Sequence, residues 1–152
     1  MASGITNRGK FLIKNSYFRA QNTPTNFYVA LVDASVAPGP DTNTLSQLGE
    51  VPAGNGYTAG GIQLSRNTTD FDTLTENDTD DRGELKLKDL VWTASGGNLP
   101  ASGTGARYAV LTTDEGTVGS RQVIAYWDLG SNRVVSDTQT LTLVDCELRF
   151  TE

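Results

Sequence analysis

Seven carboxylates crowd into fifteen residues: Asp70, Asp72, Glu76, Asp78, Asp80, Asp81 and Glu84. Hard oxygen ligands in a loop are what Ca²⁺ or Mg²⁺ binds. The run Glu76, Asp78, Asp80 has the spacing that opens a calcium loop. The sixth position, however, is Asp81, where the sharp turn of an EF-hand needs glycine, and the twelfth is Leu87, where it needs a bidentate Glu. The EF-hand reading fails on both counts. A glycosidase pair would need two carboxylates opposed across a cleft, one with a raised pKa, and a water-exposed run supplies neither. The stretch 70–84 is therefore expected to be a solvated acidic loop, or one that meets a basic partner surface.

Other routes to chemistry close in turn. The chain has no histidine, which removes His-based acid–base catalysis, His metal ligation and His pH switching. Without it no serine has its usual base, and no Ser-x-x-Lys pattern stands out. Gly54-x-Gly56 and Gly103-x-Gly105 lack the Gly-Lys-Ser/Thr of a phosphate loop and the dinucleotide fingerprint, so they are turns. The glycosylation sequons at Asn67 and Asn77 carry no meaning where no secretory signal is expected. The single cysteine, Cys146, cannot form an intrachain disulfide, and its neighbours Leu143, Val144 and Leu148 suggest a small hydrophobe in the core. The sequence thus supplies no catalytic, cofactor-binding or metal-binding set.

Charge is distributed unevenly. The first 20 residues carry Arg8, Lys10, Lys14 and Arg19 and no acid, a charge of +4; the chain totals −6, so the other 132 residues carry −10. That balance argues against a dedicated nucleic-acid binder, which shows a large basic face. A basic end on an acidic body suits docking onto an acidic neighbour. No apolar run approaches the roughly 18 residues of a membrane helix, and no signal or transit peptide is expected.

The elements follow from periodicity. Residues 5–19 read as a helix: Thr6 is the N-cap, Phe11, Lys14, Asn15 and Phe18 recur at spacings of three and four, and Phe11 and Phe18 share a face with Leu12 beside them. Gly9 weakens that helix by about 1 kcal/mol relative to Ala. Asn22 to Pro24 ends it. Phe27 to Val32 is apolar enough for a strand covered on both faces. Asp41 or Thr42 caps a single turn around Leu45 and Leu48. Strands are expected at 62–65, 84–93 (slipping once near Asp89, as a bulge would), 107–112, 122–129 and 139–151. Turns fall at 114–116 and 130–132. Trp127 and Tyr126 are adjacent and face opposite sides, so one is exposed enough to anchor an interface.

Recurrent strands separated by turn signals, with no second long helix, predict one all-β domain over 1–152. The expected architecture is an antiparallel β-sandwich, jelly-roll-like, over 26–152, preceded by a short N-terminal α-helix at 5–19.

Seven segments carry a resemblance: Ile5–Lys10, Pro24–Leu31, Asp41–Leu45, Gly54–Gly61, Val91–Gly97, Gly105–Leu111 and Ser136–Leu143. Together they make the chain resemble a family of small bacteriophage virion proteins over nearly its whole length. The resemblance implies a non-enzymatic place in the particle, in the head or the tail, and no cofactor. The head is preferred: a capsid decoration (cement) protein on the outer surface of the virion, binding the major capsid protein and itself, with a trimer as the leading stoichiometry, and binding neither nucleic acid nor membrane. The alternatives are a tail adaptor, collar or fibre-associated protein, and a glycan-binding module. The residues expected at the partner interface are Arg8, Lys10, Lys14, Arg19 and Trp127.

Overall fold

A computed structural model describes residues 1–151. Ten strands and one helix follow in order: β1 (Ala2–Ile5), α1 (Asn7–Arg19), β2 (Asn26–Val32), β3 (Ile62–Ser65), β4 (Thr73–Asn77), β5 (Arg82–Lys86), β6 (Leu90–Thr93), β7 (Ala106–Thr112), β8 (Val123–Arg133), β9 (Thr140–Leu143) and β10 (Glu147–Thr151). The fold is the expected all-β antiparallel sandwich with one short N-terminal helix. One layer is a five-stranded sheet in the order β1-β8-β7-β2-β3; the other comprises a three-stranded sheet, β10-β5-β4, and the two-stranded ribbon β6-β9.

Alternation along the strands builds the core between the layers. Val29 and Leu31 of β2, Ala109 and Leu111 of β7, and Ala125, Trp127 and Leu129 of β8 point inward. They meet Leu90 and Trp92 of β6, Leu141 and Leu143 of β9, and Leu148 of β10. The other face of the large sheet, with Ala30, Val32, Val110 and Val123, is covered by Leu45 and Leu48 from a 3-10 turn at Leu45–Gln47. This is why β2 is apolar on both sides. The turn's N-cap is Thr44, not Asp41 or Thr42, and Gln47 Oε1 accepts from the Thr44 and Asn43 N–H groups.

The expected strands 84–93 and 139–151 are each broken in two, yet they run side by side in one register. Lys86 faces Glu147 before the break and Leu90 faces Leu143 after it. At the break Leu87 N–H still donates to Cys146 O, but Lys88 N–H turns away to Asp70 O. Asp145 adopts a left-handed φ of 53°. A third expectation gives way too: β8 continues through Gly130 to Arg133, where a turn had been expected, because Gly130 takes a φ of 79° and lets the chain rejoin Ala106. The acidic stretch is not a loop. Its centre forms the β4-β5 hairpin, closed by Asn77, whose Oδ1 accepts from Thr79 and Asp80 N–H groups.

β1 is also unforeseen, since four residues of mixed polarity carry no period. It adds to the sheet edge opposite Asp128–Ala125, and the helix begins at Asn7 and not at residue 5. Where β7 pairs with β8 the register skips from Leu111–Ala125 to Thr112–Val123, leaving Ile124 as a bulge. Thr6 grips that bulge. Its N–H donates to Ile124 O at 3.0 Å, and its Oγ1 donates to Val123 O at 2.6 Å while accepting the Gly9 N–H at 2.8 Å. The predicted N-cap is thus also the helix's anchor.

Gly9 is required rather than tolerated. A Cβ there would sit 2.2 Å from Ile124 O. Gly9→Ala should therefore destabilise the protein by about 1–3 kcal/mol, despite alanine's better helix propensity. Chemical denaturation decides this: a gain in stability would mean that α1 is not seated tightly on β8.

Candidate docking surface

Gly9, Leu12 and Asn15 form the buried side of α1. At 3.6 residues per turn the opposite side collects Lys10, Phe11, Lys14, Tyr17 and Phe18. Phe11 and Phe18 do share a face, but it looks outward, and Leu12 lies on the other one. Tyr17 and Phe18 are 83% and 78% exposed, and their rings meet edge to face with centroids 5.1 Å apart. Exposed aromatic rings are what interface cores are enriched in, and ammonium groups such as these belong to the polar rim around them.

The four expected cations divide. Arg8 is half-buried: its Nε donates to Gln122 Oε1, and its guanidinium stands 5.1 Å from the Phe11 ring. It ties α1 to the sandwich. Lys10, Lys14 and Arg19 are exposed, and none forms an ion pair among the described residues. Arg19, in the last turn, also complements the helix dipole.

Trp127 is not an interface anchor. It is 1% exposed, packed between the layers, and its Nε1 donates to Glu147 O at 3.0 Å, joining the large sheet to β10. Alternation was read correctly; the side was not. Tyr126 takes the other side, half-buried, lying over Gly4, where a Cβ would meet its ring at 2.5 Å.

Sequence reasoning missed the residues that complete the surface from the far end of the chain. A cleft of about 560 Å³ opens between α1 and β10, lined by Ile5, Lys10, Ile13, Lys14, Arg149 and Phe150. No local signal links residues 10–14 to 149–150; β1 and β10 bring them together. Arg149 is held by Glu147 at 2.7 Å, and that guanidinium keeps the Glu147 carboxyl below its ordinary range. On its other side Phe150 borders a second cleft of about 620 Å³ under the β4-β5 hairpin, lined by Glu76, Asp78, Asp81 and Gly83 among others.

The acidic stretch separates into structural and unpaired groups. Asp70 is buried, receives Ser65 N–H at 2.6 Å and binds Lys88 Nζ at 2.5 Å. Arg82 bridges Asp80 and Glu84. Asp72, Glu76, Asp78 and Asp81 have no ion pair among the described residues. Among the described residues no three acidic or thiol groups come together in a way that could hold a metal ion, and no helix is long and apolar enough to cross a membrane. No family model, curated protein or solved structure matches this chain.

Two measurements follow. The Lys88 ammonium, then the Ser65 N–H, holds the Asp70 carboxyl below its ordinary 3.8. A depressed carboxyl contributes stability above its unfolded pKa and loses it as pH falls through the folded one. Asp70→Asn should cost about 1–2 kcal/mol at neutral pH, and the gap to the parent protein should narrow below about pH 4; a gap constant with pH would remove the ion pair as its cause. Cys146 is fully buried, and burial, then Asp145, pushes its thiol up to about 12. It should resist a thiol reagent in the native protein and react at once in denaturant. Rapid native labelling would contradict this core assignment.

Proposed function

We propose that this protein is a structural component of a bacteriophage particle, a capsid decoration protein that binds the assembled shell and stabilises it. One observation carries the reading: a rigid sandwich displays, on a helix pinned at Thr6, three uncovered aromatic rings alternating with Lys10, Lys14 and Arg19. Such a surface loses free energy to water while bare and gains it when covered. The cations steer it toward an acidic neighbour. The segments that resemble small virion proteins include Ile5–Lys10, which spans the anchor and first turn of this helix.

A protein that binds only the expanded lattice stabilises it by mass action. Each copy adds little, but an array of copies raises the force needed to open the shell. The pinned helix suits this role because its interface is ordered before binding, so little conformational entropy is lost on contact.

The deciding experiment counts copies per purified particle by quantitative mass spectrometry against the major shell protein. A count near one per shell subunit, or a simple fraction of it, supports decoration. A count matching a single ring moves the protein to the tail or portal vertex, and absence from the particle overturns the structural reading. Lys10→Glu with Lys14→Glu should weaken attachment by about tenfold or more, most strongly at low salt. Unchanged attachment would exclude α1 as the contact.

A further inference from the structure

The inner face of the β4-β5 hairpin overhangs the core. Leu74 and Glu76 on β4, Gly83 and Leu85 on β5, and Leu148 and Phe150 on β10 share one face by register and alternation. Only Leu85 and Leu148 reach the core. Leu74 is 78% exposed, Phe150 is 39% exposed, and a Cβ added at Gly83 would meet nothing within 4 Å. At Leu74, Glu76 and Gly83 the inner side of this arm is thus left open by its own chain.

This arm and α1 flank the same residue. Phe150 borders the cleft with Lys10 and Lys14 on one side and the cleft with Glu76, Asp78 and Asp81 on the other. One continuous surface therefore has a basic wall, an aromatic floor and an acidic wall. Lys10 and Lys14 on one wall and Glu76, Asp78 and Asp81 on the other have no ion pair among the described residues, whereas Arg149 and Arg82, which also line the two clefts, are held by Glu147 and by Asp80 and Glu84. The elements that carry the walls expose apolar groups beside them, Tyr17 and Phe18 on α1 and Leu74 on β4.

We propose that this surface pairs with the same surface of a second copy of the chain about a two-fold axis near Phe150. Rotation by half a turn sets the Lys10 and Lys14 wall of each protomer against the Glu76, Asp78 and Asp81 wall of the other. The match occurs twice and is closed, as an isologous interface requires. A cyclic trimer needs complementary patches on separate flanks of the protomer; here they adjoin. The aromatic rings of α1 then cover Leu74 of the facing arm. This rests on the docking role given to α1 and changes its partner: the acidic neighbour that α1 meets is another copy of the protein in the decorating array, and not the shell protein itself.

The test is sedimentation of the purified full chain together with a charge exchange. The parent protein should sediment as a dimer that weakens with salt. Lys10→Glu with Lys14→Glu should be monomeric, and so should Glu76→Lys with Asp78→Lys and Asp81→Lys, because each homodimer would set like charges together twice. Mixed in equal amounts, the two variants should form a heterodimer with about the parent's affinity, since both walls are again opposed in sign. That recovery also shows that both variants are folded. A monomeric parent, a trimer, or a mixture that stays monomeric overturns the pairing. If pairing fails while the lysine-reversed variant still loses particle attachment, α1 docks on a different acidic protein and only the self-pairing is wrong. If attachment is also unchanged, the docking role falls with it.

Discussion

The geometry of the N-terminal half depends on one buried threonine. Thr6 has no exposed surface, and its two polar groups reach two successive carbonyls of β8, Val123 and Ile124. Those carbonyls are accessible because the bulge at Ile124 interrupts the β7-β8 ladder. The same hydroxyl accepts the Gly9 N–H, so one side chain closes a bulge, caps a helix and fixes where the helix sits. Gly9 allows the approach, and Leu12 then fills the space beside Ile124. With its inner side committed, the helix has to present Phe11, Lys14 and Phe18 to the outside.

A second constraint governs the other end. The ribbon formed by 82–93 and 140–151 keeps one register throughout, yet kinks where Lys88 turns to Asp70. The backbone bond from Lys88 N–H to Asp70 O and the side-chain pair act at the same place. An unpaired carboxylate as buried as Asp70 would be costly, so the pair is needed once the kink exists. The kink divides the second layer into a part that closes the core and a part that projects as the arm. Two local polar clusters, at Thr6 and at Asp70, thereby aim the two walls of the docking surface.

Chemistry and assembly differ in what they ask of such a scaffold. A catalytic site needs opposed groups with shifted pKa values in a cleft. Among the shifted groups, Asp70 is held by Lys88 and Glu147 by Arg149, Tyr57 is raised by burial and by Glu50 while its hydroxyl also accepts the Leu31 N–H, and the Cys146 thiol is raised by burial. Lys10, Lys14, Glu76, Asp78 and Asp81 are exposed, without ion pairs among the described residues, and stand near the exposed apolar side chains of α1 and β4.

Periodicity and composition by themselves determined the class of fold, the helix with its Thr6 cap, the strand 62–65, the doubly covered β2 and the burial of Cys146. These are local properties: alternation and the helical repeat are written in neighbouring residues. The side each element turns inward was decided only by tertiary structure. Phe11 and Phe18 could have faced the sheet; Gly9's approach to Ile124 turned them out. Either Trp127 or Tyr126 could have been the exposed ring; the second layer covers Trp127 and receives its indole N–H. The break at Lys88 and the arm made from an acidic stretch arise from a contact with Asp70, eighteen residues earlier in the chain. The meeting of Lys10 and Lys14 with Arg149 and Phe150 depends on β1 and β10, strands of different sheets from opposite ends of the chain, packing side by side, and such long-range packing leaves no mark on local sequence.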